Sequence, residues 1–253
     1  MLTQSALGIN ILSGINRAMD GVFRSLEKLS SGLRINRASD DPAGLVISEQ
    51  MRSRIASLNQ EIENISHSMF KYSTADSAAL ELRHALTDMR TYALEAAGAG
   101  YADESTYAAW QGAVDGLVSS YNFIVDSTSF GTQKLLDGSA GSVANVAKLE
   151  QIDVSSSEAA AQAVETIDSQ IAALDQKLVA IGARQHGDFE SRRNSLRIEM
   201  ENLTAAESSI RDTDYVAEYS NLIRNKLVVQ MGLSLLAHSH ITSRSVLNLI
   251  GND

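Results

Sequence analysis

Leu7, Ile11, Ile15, Ala18, Val22, Leu26 and Leu29 recur at steps of three and four, which predicts a helix with one apolar seam beginning almost at the first residue. Ser30, Ser31 and Gly32 interrupt the seam. Ser39, Asp40, Asp41 and Pro42 then read as the start of a second helix near Asp41, with Pro42 at the first helical position, where its missing N–H costs nothing. Met51, Ile55, Leu58, Ile62, Ile65, Met69 and Tyr72 keep heptad steps, and after Gly44 neither proline nor glycine appears until Gly98. That run predicts a single long helix. After the turn marked by Gly98, Gly100, Asp103 and Glu104, a third seam through Tyr107, Trp110, Val114, Leu117, Tyr121 and Ile124 predicts a helix packed back on the second.

Residues 129–157 change character. Gly131, Asp137, Gly138 and Gly141 form turns, and Lys148 to Val154 alternate apolar and polar as a short strand does, so a small β-hairpin region is expected there. Helical spacing resumes with Val164, Ile167, Ile171, Leu174, Leu178 and Ile181, loosens through Leu196, Met200, Leu203 and Ile210, and returns at Val216, Tyr219, Ile223 and Leu227. The reading is mainly α: a long antiparallel helical rod with a small β-hairpin, whose terminal helices pair into an inner coiled coil. Neither apolar end can bury its seam alone, so the ends are expected to pair with each other and with other copies. A heptad seam is far more often the core of an ordinary antiparallel bundle or coiled coil than part of a polymer, so periodicity by itself leaves the function undecided.

Composition narrows the function. With 44% hydrophobic residues the chain has material for a core, while one proline and 5% aromatic residues suit long helices with few turns. The net charge is -10 and uneven, with seven basic and five acidic side chains over residues 1–54 against five and fourteen over 55–160. A nucleic-acid binder wants a basic face, so the stripe Arg192, Arg193 and Arg197 reads as a solvated or salt-bridged helix face. No cysteine is present, so disulfides and thiol chemistry drop out. The N-terminus lacks the basic and unbroken apolar regions of a cleaved signal, and no apolar run is long enough to span a bilayer, so no membrane insertion is expected. His67, His84, His186, His238 and His240 form no metal-binding pair at helical spacing, and Asp40, Asp41, Asp212 and Asp214 sit where helix caps are expected. No nucleotide loop or nucleophile elbow occurs. Neither enzyme, cofactor nor metal is expected.

The stretch Leu29 to Ser48, LSSGLRINRASDDPAGLVIS, resembles the N-terminal signature of bacterial flagellins. The segments Asn202 to Asn221 and Gln230 to Ala237, and the closing Ser245 to Ile250, SVLNLI, are similar to the family's C-terminal pattern; Ile152 to Leu174 and Ile181 to Gln185 resemble its return into the rod. The resemblance implies an inner domain from residues 1–40 and 211–253, a rod domain over 41–210 with the hairpin at about 129–157, and no outer variable domain. It implies a structural subunit that polymerises into the flagellar filament for motility, is exported unfolded by a type III apparatus, and meets an export chaperone and the hook-associated and cap proteins. The alternative is a hook–filament junction adaptor or another coiled-coil protein exported the same way. The expected polymerisation interface comprises Leu7, Ile11, Ile15, Val22, Leu26, Ile223, Leu227, Leu235, Leu236, Val246, Leu247 and Ile250. Arg34, Asn36, Arg37, Asp40, Asp41 and Pro42 carry the signature, and the two arginines are expected either to bridge to a neighbouring subunit or to pair locally with Asp40 or Asp41. Two departures stand out. Ser239 to Ser243 replaces the family's usual Asn-Gln-x-Pro turn, and Asp88, two residues before Arg90, stands where the family's receptor-recognition patch usually has arginine. The latter implies weak activation of the flagellin-sensing Toll-like receptor.

Overall fold

The computed structural model describes the backbone of residues 2–100 and 102–250, and the side chains of residues 8–100, 102–239 and 241. Six helices follow one another in this span: α1 (Leu2–Ser31), α2 (Pro42–Gly98), α3 (Glu104–Ser127), α4 (Ser157–Ala183), α5 (Ser191–Arg211) and α6 (Tyr215–Ile250). A π-helical segment, Arg184–Glu190, joins α4 to α5. The chain divides into two compact units, residues 1–57 with 200–253 and residues 58–199, so that α2 and α5 contribute to both. No helix among the described residues is long and apolar enough to cross a membrane.

In the second unit the sequence pattern and the packing coincide. The 57 residues of α2 run without a break, as expected from the absence of helix breakers. Its inward positions Ala75, Ala79, Leu82, Leu86, Met89, Ala93 and Ala96 are buried against Val114, Val118, Tyr121 and Val125 of α3 and Ala160, Ala163, Ile167, Leu174 and Ile181 of α4. Alanine recurs on the α2 face, and small side chains let helix axes approach closely. The helix starts are capped locally. The Asp103 carboxylate accepts from the Thr106 amide at 3.0 Å, and the Ser156 hydroxyl accepts from the Ala159 amide at 3.2 Å.

The expected small β-hairpin is present. Ser129–Phe130 (β1) and Gln133–Lys134 (β2) pair, antiparallel, around Gly131 at φ 61°, and an isolated antiparallel bridge joins Asp137 to Asn145. The segment from Lys148 to Val154, expected as a short strand, joins no ladder; its alternation arises because Leu149, Ile152 and Val154 are buried with α3 and α4. Side-chain amides of α3 stand in for a partner strand. Asn122 donates to the Leu149 carbonyl and accepts its amide, both at 2.9 Å; Gln111 donates to the Ile152 carbonyl and accepts from the Val154 amide, both at 2.8 Å. Removing such an amide strands buried backbone groups, so Asn122→Ala and Gln111→Ala should each destabilise the protein by about 1–3 kcal/mol. Urea unfolding of the full chain measures this, and a change within experimental error for both would show that the segment is held by apolar packing alone.

Candidate assembly surface

In the first unit, α1 and α6 lie antiparallel and in contact. Ile15 and Ala18 are buried in the contact, and Ile11, Val22 and Leu29 are half-buried. Ser25 is also buried, donating to the Glu218 carboxylate at 2.6 Å. Leu26 lies outside the contact at 44% exposure, so Ser25 takes the inward place that Leu26 was expected to fill.

The C-terminal seam is one position away from its expected register. Val216, Tyr219, Ile223 and Leu227 are all exposed, Val216 at 79%. Facing α1 instead are Glu218, Leu222, Asn225, Val229, Gly232 and Leu236, again at heptad steps. Two glycines allow close approach. A Cβ on Gly232 would stand 2.6 Å from Ile15 Cγ1, and a Cβ on Gly21 would stand 2.5 Å from Asn225 Nδ2. Ile15 over Gly232, Asn225 over Gly21 and Ser25 on Glu218 together fix one antiparallel register.

The outward face of the pair is apolar as well. On α1, Ile9, Leu12, Met19, Phe23 and Leu26 form a second stripe at steps of three, seven, four and three, and Phe23 is 62% exposed. On α6, Tyr215, Val216, Tyr219, Ile223, Leu227, Met231, Leu233, Leu235 and Ile241 are exposed. A helix apolar around most of its circumference needs more cover than one partner helix supplies. Of the residues expected at a polymerisation interface, Ile11, Ile15, Val22 and Leu236 thus lie toward the partner helix, whereas Leu26, Ile223, Leu227 and Leu235 lie outward. The side chains of Leu7, Val246, Leu247 and Ile250 lie outside the described residues.

The signature stretch forms the joint below this pair. After α1, Gly32 turns at φ 75°, and the backbone pairs with the segment before α6: the Arg34 amide donates to the Arg211 carbonyl at 2.6 Å, and the Thr213 amide to the Gly32 carbonyl at 2.9 Å. The Arg34 guanidinium donates to the Ile210 carbonyl, and Arg37 forms an ion pair with Glu27 at 2.8 Å. Neither arginine therefore makes the local side-chain pair with Asp40 or Asp41 that was one of the two expectations. Asp40 instead accepts from the amides of Arg37 and Asn36 at 2.9 and 3.1 Å, and these bonds hold its carboxyl below the usual carboxylate range, the Arg37 amide contributing most. Asn36 donates to Ser31 Oγ at 2.9 Å and to the Leu33 carbonyl at 3.1 Å. Asp41 accepts from the Gly44 amide at 2.9 Å ahead of Pro42, and Ile35 is buried over Gly44, where a Cβ would meet its Cδ1 at 2.8 Å. Asp214 caps α6 through the amides of Val216 and Ala217. Arg211 adds a 2.6 Å bond to Glu49, whose carboxyl it holds below its usual range. Each member of the signature thus has a structural task at the crossing of the two chain ends.

Farther along α2, Asp88 is exposed on the wall of a groove of about 710 Å³ between α2 and α3, together with Thr91, Tyr92, Glu95 and Gly116. Arg90 points elsewhere and is engaged by both carboxylate oxygens of Asp168, at 2.5 and 3.3 Å.

Comparison with known proteins bears directly on this arrangement. Residues 4–141 match the bacterial flagellin N-terminal helical region, and residues 164–250 match the bacterial flagellin C-terminal helical region. A flagellin of Halalkalibacterium halodurans is 33% identical over an alignment taking in 96% of this chain and 94% of the relative. The flagellar filament 30.7 kDa core protein of Treponema maltophilum is 31% identical, with 97% of each chain covered. The crystal structure of Bacillus cereus flagellin overlaps 56% of this chain and 88% of its own length at a TM-score of 0.42 and 18% identity.

Proposed function

Because this chain belongs to the bacterial flagellin family, and is on that ground a structural, non-enzymatic subunit of a flagellar filament, we propose that its copies join through the outward apolar stripes of α1 and α6. The observation that carries the proposal is the second stripe itself: Ile9, Leu12, Met19, Phe23 and Leu26 line up on the side of α1 that α6 does not use. Burying each large side chain of this kind contributes about 1.5–3 kcal/mol. A contact between two different surfaces of the same chain repeats from copy to copy and builds an open helical polymer. Arg34 and Arg37 then act as organisers of the joint rather than as free intersubunit cations. Export through a type III apparatus, delivery by a chaperone, and docking on hook-associated and cap proteins complete the reading, with the two domains running over 1–40 with 211–253 and over 41–210.

The chain's lack of cysteine offers a clean test. Phe23→Cys and Val216→Cys should react fully with a maleimide in the monomer and become protected in assembled filaments. Labelling that stays equal in both states at both positions would sink the proposed interface.

The receptor reading follows from the same comparison of surfaces. Asp88 projects into solvent, and Arg90, held by Asp168, cannot take over the role of the usual arginine. The protein is therefore a weak agonist of the flagellin-sensing Toll-like receptor. Reporter-cell activation should be low and should rise with Asp88→Arg; strong activation by the unaltered chain contradicts this.

A further inference from the structure

The second unit is strongly acidic, with 20 Asp and Glu against 10 Lys and Arg between residues 58 and 199. Four of those ten basic side chains are committed to ion pairs. Arg83 pairs with Asp175, Arg90 with Asp168, Lys148 with Asp126 and Arg192 with Glu61. Two of the other six, Lys177 and Arg184, come together at one place. Between α4 and the loop that follows Gly141 lies a cavity of about 360 Å³ whose polar lining is Tyr72, Ser142, Asn145, Lys177 and Arg184, without a single carboxylate among its lining residues. Lys177 and Arg184 form no ion pair among the described residues, and the one hydrogen bond shown for the Arg184 guanidinium goes to the neutral Tyr72 hydroxyl, at 3.2 Å.

The walls of this cavity are built rather than incidental. Lys71 fixes its rim by donating to Gln133 Oε1 and to the Gly141 carbonyl. The amides of Val143 and Ala144 both donate to the Leu135 carbonyl, at 2.8 and 3.1 Å. The helix itself changes form here, because the π-helical segment starts at Arg184. Within that segment Phe189 packs edge-on against Tyr72 at 5.0 Å, so Tyr72 is held by both Arg184 and Phe189. Helical π segments widen the turn and recur at functional positions because they re-aim side chains.

Two cations left without a counter-charge, beside hydroxyls and an amide able to donate, make a site for negative charge. We propose that this cavity binds a small divalent oxyanion of the phosphate class. The Arg184 guanidinium presents a planar fork to two of its oxygens, Lys177, seven residues earlier on the same helical stretch, supplies a point charge, and Ser142 and Tyr72 offer hydroxyl protons. The surrounding negative field would otherwise repel such an ion, so binding in this unit requires these two cations specifically.

The test uses the full chain as monomer, titrated calorimetrically with inorganic phosphate at pH 7.5 against chloride at matched ionic strength. The expected result is saturable one-to-one binding. Lys177→Gln combined with Arg184→Gln should weaken it by about tenfold or more, and Arg192→Gln, a basic position outside the cavity, should leave it unchanged. Lys177→Gln alone, at an exposed position with no bonded partner, leaves the fold intact and should still weaken binding by about threefold. Absence of saturable phosphate binding, or binding that survives the double substitution in a protein of unchanged circular dichroism, would overturn the assignment.

Discussion

Filament growth should stop when aspartate replaces both Phe23 and Met231, while the monomer keeps its fold. Both side chains are largely exposed in the single chain, at 62% and 58%, so their replacement disturbs little internal packing. Exposed substitutions of this kind usually shift stability by about 0.5 kcal/mol or less. In the polymer the same positions would be covered by neighbouring copies. An unpaired carboxylate buried there costs several kcal/mol, on top of roughly 1.5–3 kcal/mol of lost apolar burial at each site. Each subunit presents its stripe to neighbours and receives theirs, so the loss recurs at every addition step. At about 1.4 kcal/mol per tenfold, the critical concentration should rise by at least about a hundredfold. Sedimentation of seeded reactions measures it, alongside thermal melting of the unassembled chain. Growth at a nearly unchanged critical concentration would show that the outer stripe is not the interface.

The second large effect concerns the seam inside the chain. Gly232→Ala adds one methyl group to a helix interior, which ordinarily stabilises by about 0.5–1 kcal/mol. Here the sign should reverse. The new Cβ would stand 2.6 Å from Ile15 Cγ1, a branch close to the α1 backbone with little freedom to move. Overpacking of this kind costs about 1–3 kcal/mol, enough to part or re-register a helix pair that meets along one narrow seam. Adding Ile15→Ala removes the clashing atoms and should restore pairing in part, giving a coupling energy of about 1 kcal/mol or more in a double-mutant cycle. Gly14→Ala serves as reference, because nothing lies within 4 Å of the added methyl and the ordinary stabilisation should appear. Amide exchange across α1 and α6 reads the pairing directly. A stabilising Gly232→Ala would mean that the two helices do not meet as described.

These two experiments also mark where sequence reading succeeds and where it fails. The seams of α3 and α4 are readable because Val114, Tyr121, Ile167, Leu174 and Ile181 are apolar positions among polar ones, and each is buried. For α6 the same method misplaces the register by one residue. Its true inward line contains Glu218, Asn225 and Gly232, which carry no apolar signal, while the outward face is rich in leucine, valine and tyrosine. A helix that meets a partner inside the chain and others outside has two seams, and spacing alone does not say which is which. The alternation from Lys148 to Val154 reports one buried edge correctly but does not reveal that Asn122 and Gln111 replace the missing strand. The joint between Gly32 and Thr213 depends on contacts between distant parts of the chain, so its helix-start signals were readable and its cross-chain hydrogen bonds were not. Nothing in the sequence of Arg184–Glu190 distinguishes a π-helical turn from an α-helical one, since both satisfy the backbone with similar residues.

The most direct test of assembly through the chain ends is electron microscopy of the purified chain after addition of short filament seeds, beside a variant lacking residues 1–28 and 222–253. Assembly through the chain ends gives long tubes from the intact chain and none from the shortened one, whose remaining helices lack the α1 stripe and most of the α6 stripe. Tubes from the shortened chain, or an intact chain that stays monomeric or closes into small rings, would contradict it.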